Sequence, residues 1–156
     1  MRRRKAVTRQ LVPDVKYNSE LVAKLVNTVM IDGKKSVAEG IVYSALDTLT
    51  KKISDQDPLE VFLQALENAK PRLEVKSRRV GGATYQVPLE IPTNRQGTIA
   101  MRWMVNFARS KKGKPMRDAL ATEMLDAFNN TGSTVKKKDD THKMAAANKA
   151  FAHFKW

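Results

Sequence analysis

The sequence predicts a mainly α-helical fold, a single domain of about six helices from which one β-hairpin arm protrudes. Three observations carry that prediction. Apolar residues recur at helical spacing through most of the chain. One stretch, Leu73 to Ile91, departs from that period and alternates around a Gly81-Gly82 pair, the signal of a two-residue hairpin turn. The length of 156 residues, with 42% hydrophobic content, suits one domain with a real core, since a chain of this size buries roughly 68–70% of the surface it exposes when unfolded. Neither an internal repeat nor a low-complexity linker divides the chain. The expected organisation is a basic arm over residues 1–17, a helical domain over 18–147 with its hairpin at about 73–90, and a tail over 148–156.

The first helix is predicted from Glu20 to Ile31, with Leu21, Val22, Leu25, Val26, Val29 and Met30 on one stripe and Asp32-Gly33 stopping it. Ser36 is expected to cap the second helix, with Glu39 completing a capping box. Val37, Ile41, Ala45, Leu49 and Ile53 then repeat every four residues. Gly40 inside this helix costs about 1 kcal/mol against alanine, which predicts close packing there. The third helix has the clearest start: Asp57 caps it, Pro58 takes the first helical position and Glu60 closes the box. Leu59, Phe62, Leu63 and Leu66 are its expected inner face, and Pro71 ends it.

The fourth helix is expected to open at Thr93, with Gln96 three residues on. Ile99, Trp103 and Phe107 mark its core face, with Ala100, Met104 and Ala108 beside them. The fifth runs from about Pro115 to Asn129 with Met116, Leu120, Met124 and Ala127 inward, and Gly132 is placed to terminate it. The last spans roughly Ser133 to Ala147.

The formal net charge is +13, which favours an anionic partner, nucleic acid first. The charge is unevenly placed. Asn18 to Ala69 holds five lysines and eight acidic residues, whereas the remainder holds 24 basic and 8 acidic ones. The cations gather in four places: an arm with Arg2, Arg3, Arg4, Lys5 and Arg9; the first hairpin strand with Lys76, Arg78 and Arg79; a helix stripe of Arg95, Arg102 and Arg109; and the loop Arg109 to Arg117. Seven helical steps of about 100° nearly close two turns, so the three stripe arginines share one face. An isolated two-stranded ribbon is only marginally stable in water, so a basic ribbon reads as built to be held by a polyanion. Tyr85 and Trp156 are candidates to stack on unpaired bases.

Other classes lose ground on the same residues. With no cysteines, disulfides and cysteine-ligated metal sites are excluded. His142 and His153 are eleven residues apart and lack the partners of a zinc site. Neither Gly81-Gly82 nor the Gly33-Lys34 and Gly113-Lys114 pairs have the spacing of a phosphate-cradling loop. No catalytic set and no cofactor is expected. The N-terminal residues are basic without a following apolar segment, so a secretory signal is not expected, and neither is a membrane span. A helix-turn-helix regulator of duplex DNA is the rival reading. The mid-chain hairpin and the lack of a clear recognition helix count against it.

Four separated motifs in order carry a family resemblance. ELVAKLVNTVMIDGKKSVAEGIVYSAL (Glu20–Leu46), RRVGGATYQVP (Arg78–Pro88), NRQGTIAMRWMVNFAR (Asn94–Arg109) and KKKDDTHKMAAANKAFAHFKW (Lys136–Trp156) resemble the small-subunit ribosomal protein S-seven family in its bacterial form. The resemblance covers nearly the whole chain. It implies a cytoplasmic protein of the small ribosomal subunit that binds the 3′ major domain of its rRNA and nucleates head assembly, near the exit tRNA site and the mRNA exit path. Neighbours would include S-nine, S-eleven and S-thirteen.

Carried over motif by motif, the rRNA contacts would be Arg2, Arg3, Arg4, Lys5, Arg9, Lys34, Lys35, Lys76, Arg78, Arg79, Arg95, Arg102, Arg109, Lys111, Lys112 and Lys114. Residues near exit-site tRNA or mRNA would be Arg78, Arg79, Gly81, Gly82, Tyr85, Lys143 and Trp156.

Overall fold

In the computed structural model, residues 6, 10–53 and 56–154 are described. Among them the chain runs α1 (Glu20–Val29), α2 (Lys35–Lys52), α3 (Pro58–Ala69), β1 (Leu73–Val80), β2 (Ala83–Glu90), α4 (Thr93–Ser110), α5 (Met116–Phe128) and α6 (Gly132–Ala147), then a short 3₁₀ segment, Lys149–Phe154. The six helices and the ribbon are those expected from periodicity. No helix among the described residues is long and apolar enough to cross a membrane.

Helix α5 sits at the centre and packs against α2, α3, α4 and α6. Its buried Ala119, Ala121 and Ala127 are small enough to let neighbours approach closely, while Leu120 and Met124 fill the space between them. Phe62 and Leu66 of α3, Leu46 and Leu49 of α2, and Leu25 of α1 complete the core.

Several local expectations change. Lys34 precedes α2 and Ser36 lies within its first turn, making no cap hydrogen bond. Val37 is 59% exposed, and Gly40 is exposed with open space where a Cβ would sit, so close packing does not account for it. Helix α4 opens at Thr93 as expected, with Pro92 preceding it and no side-chain cap hydrogen bond. The buried face of α4 is Ala100, Met101, Met104, Val105 and Ala108. Ile99, Trp103 and Phe107 lie about one residue round the helix and are only half-buried. Choosing the bulkiest residues misplaced the face, because contact with the alanine-rich α5 favours small and flexible side chains.

Leu63 of α3 is exposed at 38%, while the start of that helix is as expected, with Leu59 N–H donating to the Asp57 carboxylate and Pro58 in the first turn.

Gly132 opens α6 instead of ending α5. The left-handed residue is Asn130, at φ 56°. Thr131 N–H donates to Asp126 O at 2.8 Å and Asn130 N–H to Ala127 O at 3.1 Å, the paired bonds of a Schellman stop.

Residues 14–17 are fastened to α2. Buried Asp14 accepts from the Lys16 and Tyr17 amides and, at 2.7 Å, from the Tyr43 hydroxyl. That bond holds the Tyr43 proton firmly, and its pKa is pushed up to about 12 by the hydrogen bond and by burial.

Candidate nucleic-acid interface

The ribbon is an antiparallel pair running from Leu73↔Glu90 to Val80↔Ala83. Gly81 and Gly82 form its turn at φ 56° and 88°, two positive values that L side chains resist, with open space around both. Successive strand residues face opposite sides. Lys76 and Arg78 therefore share one face with Tyr85 and Val87, and Arg79 lies on the other with Thr84. The same alternation divides the apolar residues: Leu73 and Val75 lie opposite Tyr85, Val87 and Leu89. The ribbon is thus half-covered on both sides and is not a simple two-faced strip.

At its base, Glu74 lies 3.2 Å from the Lys76 ammonium and 3.5 Å from the Arg95 guanidinium. One carboxylate thereby draws two expected nucleic-acid contacts together from distant stretches. It leaves the trio with a net positive charge at an exposed edge, where each ion pair contributes little to stability.

The arginine stripe on α4 exists, but its members meet different surroundings. Arg95 pairs with Glu74. Arg102 is exposed and has no ion pair among the described residues. Arg109 donates to the carbonyl of Val29 at 3.1 Å. Val29 is the last residue of α1, so this cation satisfies a helix-end carbonyl and complements the negative end of the helix.

Beside it, Arg109, Lys111 and Lys114 rim a cleft of ≈ 320 Å³ floored by Ile31, Ile41 and Met116. This brings the loop after α4 against the segment leading to Lys34 and Lys35, both exposed, of which Lys35 lies 3.7 Å from Glu39.

Lys111 also points inward. Its ammonium lies 2.8 Å from Glu123 Oε2, a carboxylate with no solvent exposure, and 3.7 Å from Asp126. The alignment at Oε2 falls short of a hydrogen bond, so the contact is chiefly coulombic. Oε1 accepts from the Thr134 amide at 2.9 Å and its hydroxyl at 2.7 Å. Glu123 thus caps the start of α6, where Thr131 supplies no side-chain cap. Lys112 and Lys114 remain exposed, without ion pairs among the described residues.

A second, polar cleft lies between the end of α3 and α6. Lys138 donates to Asn68 O at 2.8 Å, and Asn68 donates to the Ala127 and Phe128 carbonyls, so each cap supports the next. His142 Nε2 accepts from the Arg72 amide at 3.0 Å, which places the neutral ring's proton on Nδ1. Burial, with the nearby Lys138 and Arg72 charges, lowers the His142 pKa from its ordinary 6.5.

Of the remaining expected contacts, Arg2, Arg3, Arg4, Lys5, Arg9 and Trp156 lie outside the described residues. Lys143 is exposed on α6. Tyr85 is half-buried, with its ring 5.2 Å from Phe151 and 5.0 Å from Phe154. Arg78 donates to the Phe154 carbonyl.

Sequence reasoning missed Glu123, Asp14 and the roles of Asn68 and Lys138. Glu123 left one signal: it sits at the position between Leu120, Met124 and Ala127 where an apolar residue belongs. Asn68 and Lys138 gave none, because their partners are distant in sequence, and of the Asp14 bonds only the two to the Lys16 and Tyr17 amides are local.

The family model described as ribosomal protein S7p/S5e matches residues 1–149. The chain is 58% identical over 155 residues to the small ribosomal subunit protein uS7 of Protochlamydia amoebophila, covering 99% of both chains. It is 58% identical over 156 residues to that of Thermotoga maritima and 59% over 157 to that of Akkermansia muciniphila, each covering 100% of both. Because these matches run through every helix and the ribbon alike, the chain belongs to the ribosomal protein S7p/S5e family and is a structural, non-enzymatic protein of the small ribosomal subunit.

Proposed function

We propose that this chain binds the 3′ major domain of small-subunit rRNA directly and nucleates head assembly, close to the exit tRNA site and the path of departing mRNA. In this reading S-nine, S-eleven and S-thirteen are its protein neighbours, and the cytoplasm is its compartment. The supporting observation is that Lys34, Arg79, Arg102, Lys112 and Lys114, contributed by four separate stretches, are exposed and have no ion pair among the described residues. Cations left uncompensated on a rigid helical body neutralise phosphates and release counterions. Their scatter over ribbon, helix and loops suits a folded RNA touched at several places more than one recognition helix in a duplex groove.

Filter binding of an rRNA head fragment, competed with random duplex DNA, tests this. With about 6–10 phosphate contacts, affinity should fall roughly 10³–10⁵-fold between 50 and 200 mM salt, by analogy with duplex DNA. Equal competition by random duplex, or a flat salt response, sinks the reading. Replacing Arg102, Lys112 and Lys114 together by alanine should reduce the salt slope and leave the circular dichroism unchanged.

A further inference from the structure

Tyr85 and Arg78 stand directly opposite each other across the ribbon, and the chain's own tail occupies both. Phe151 and Phe154 lie against the Tyr85 ring, tilted by 51° and 38°, while the Phe154 carbonyl accepts from the Arg78 guanidinium. The His153 ring lies 4.1 Å from Phe154 on the exposed flank. An aromatic ring paired with a guanidinium is the combination that holds an unpaired nucleobase: the ring stacks, and the guanidinium meets a carbonyl or phosphate oxygen. The tail presents the same two features, a flat ring and an oxygen acceptor. Its hold is slight, since the 3₁₀ segment contains no buried residue.

We infer that Tyr85 and Arg78 form a seat for an unpaired RNA base, and that the segment Lys149–Phe154 occupies this seat until RNA displaces it. The inference rests on the proposed rRNA-binding role and adds to it a site and an internal competitor. A competitor of this kind lowers apparent affinity by the fraction of molecules with the seat open. It also screens the ribbon from unspecific single strands while leaving the cations elsewhere available to structured RNA.

The test uses the full chain and a single-stranded RNA decamer at low salt. Amide hydrogen exchange over residues 149–154 should speed up when the decamer is added. Replacing Phe151 and Phe154 by alanine keeps every charge and should raise decamer affinity about fivefold, the scale of one lost aromatic contact. Adding Tyr85→Ala to that variant should cancel the gain. Unchanged or slower exchange, an unchanged or weaker affinity, or no decamer binding by either chain overturns the inference. Binding of the rRNA head fragment, measured alongside, reports on the wider role separately: the head fragment can bind while the tail stays put.

Discussion

Two junctions hold late elements of this chain in place, and they are built in opposite ways. Where α5 meets α6, a fully buried carboxylate, Glu123, joins the Thr134 amide and hydroxyl to the Lys111 ammonium. Where the tail meets the ribbon, half-buried rings take part, together with the bond from Arg78 to the Phe154 carbonyl. Inside the protein, water cannot replace a lost partner, so each group of the first junction depends on the others. At the ribbon, solvent offers a substitute. The first junction is therefore suited to a fixed framework and the second to an exchangeable contact.

The sharpest way to break the contrast is Glu123→Ala. It leaves the Thr134 amide and hydroxyl without a partner and Lys111 with Asp126, at 3.7 Å, as its remaining counter-charge. Removing one member of a buried pair costs about 3–5 kcal/mol, and the lower end is expected here because Lys111, 24% exposed, can turn to water. Urea denaturation reads this directly; a loss under about 1 kcal/mol would place the junction in the same class as the tail contact.

A middle-sized effect comes from His142, which joins α6 to the segment before β1. Its folded pKa is lowered, so the unfolded chain binds more protons below the ordinary value of 6.5. The stability it contributes is present above that pH and is lost as pH falls through the folded pKa. The urea midpoint should decline between pH 7.5 and 5.5, and His142→Gln should flatten that decline. An equal slope in both proteins would assign the pH dependence elsewhere.

The smallest effect belongs to the tail. Replacing Phe151 and Phe154 by alanine should lower global stability by less than about 1 kcal/mol, since an exposed contact of this kind opens without unfolding the core. A loss comparable to that of Glu123→Ala would make the tail part of the framework and dissolve the comparison.

Much of this was legible beforehand. The apolar stripe Val22, Leu25, Val26 and Val29, the Asp57-Pro58 start and the Gly81-Gly82 turn are local signals that tertiary structure had only to keep. The failures are also local rules, overruled at contacts. Bulk at Ile99, Trp103 and Phe107 pointed to the wrong face of α4, because the neighbouring helix supplied alanines. Gly132 carried the sign of a helix stop, but Asn130 took the left-handed position first. On the candidate interface, spacing showed which arginines share a helix face and could not show that Arg95 meets Glu74, Arg109 meets a carbonyl and Arg102 meets solvent.

Periodicity and turn chemistry are properties of neighbouring residues, and by themselves they determined the helices and the ribbon, while the four motifs determined the family. Whether a given cation reaches solvent, a carboxylate or a helix end depends on residues tens of positions away, and only packing in three dimensions decided that. Lys111 and Lys112 are adjacent in sequence and alike in charge, yet one faces a buried glutamate and the other faces water.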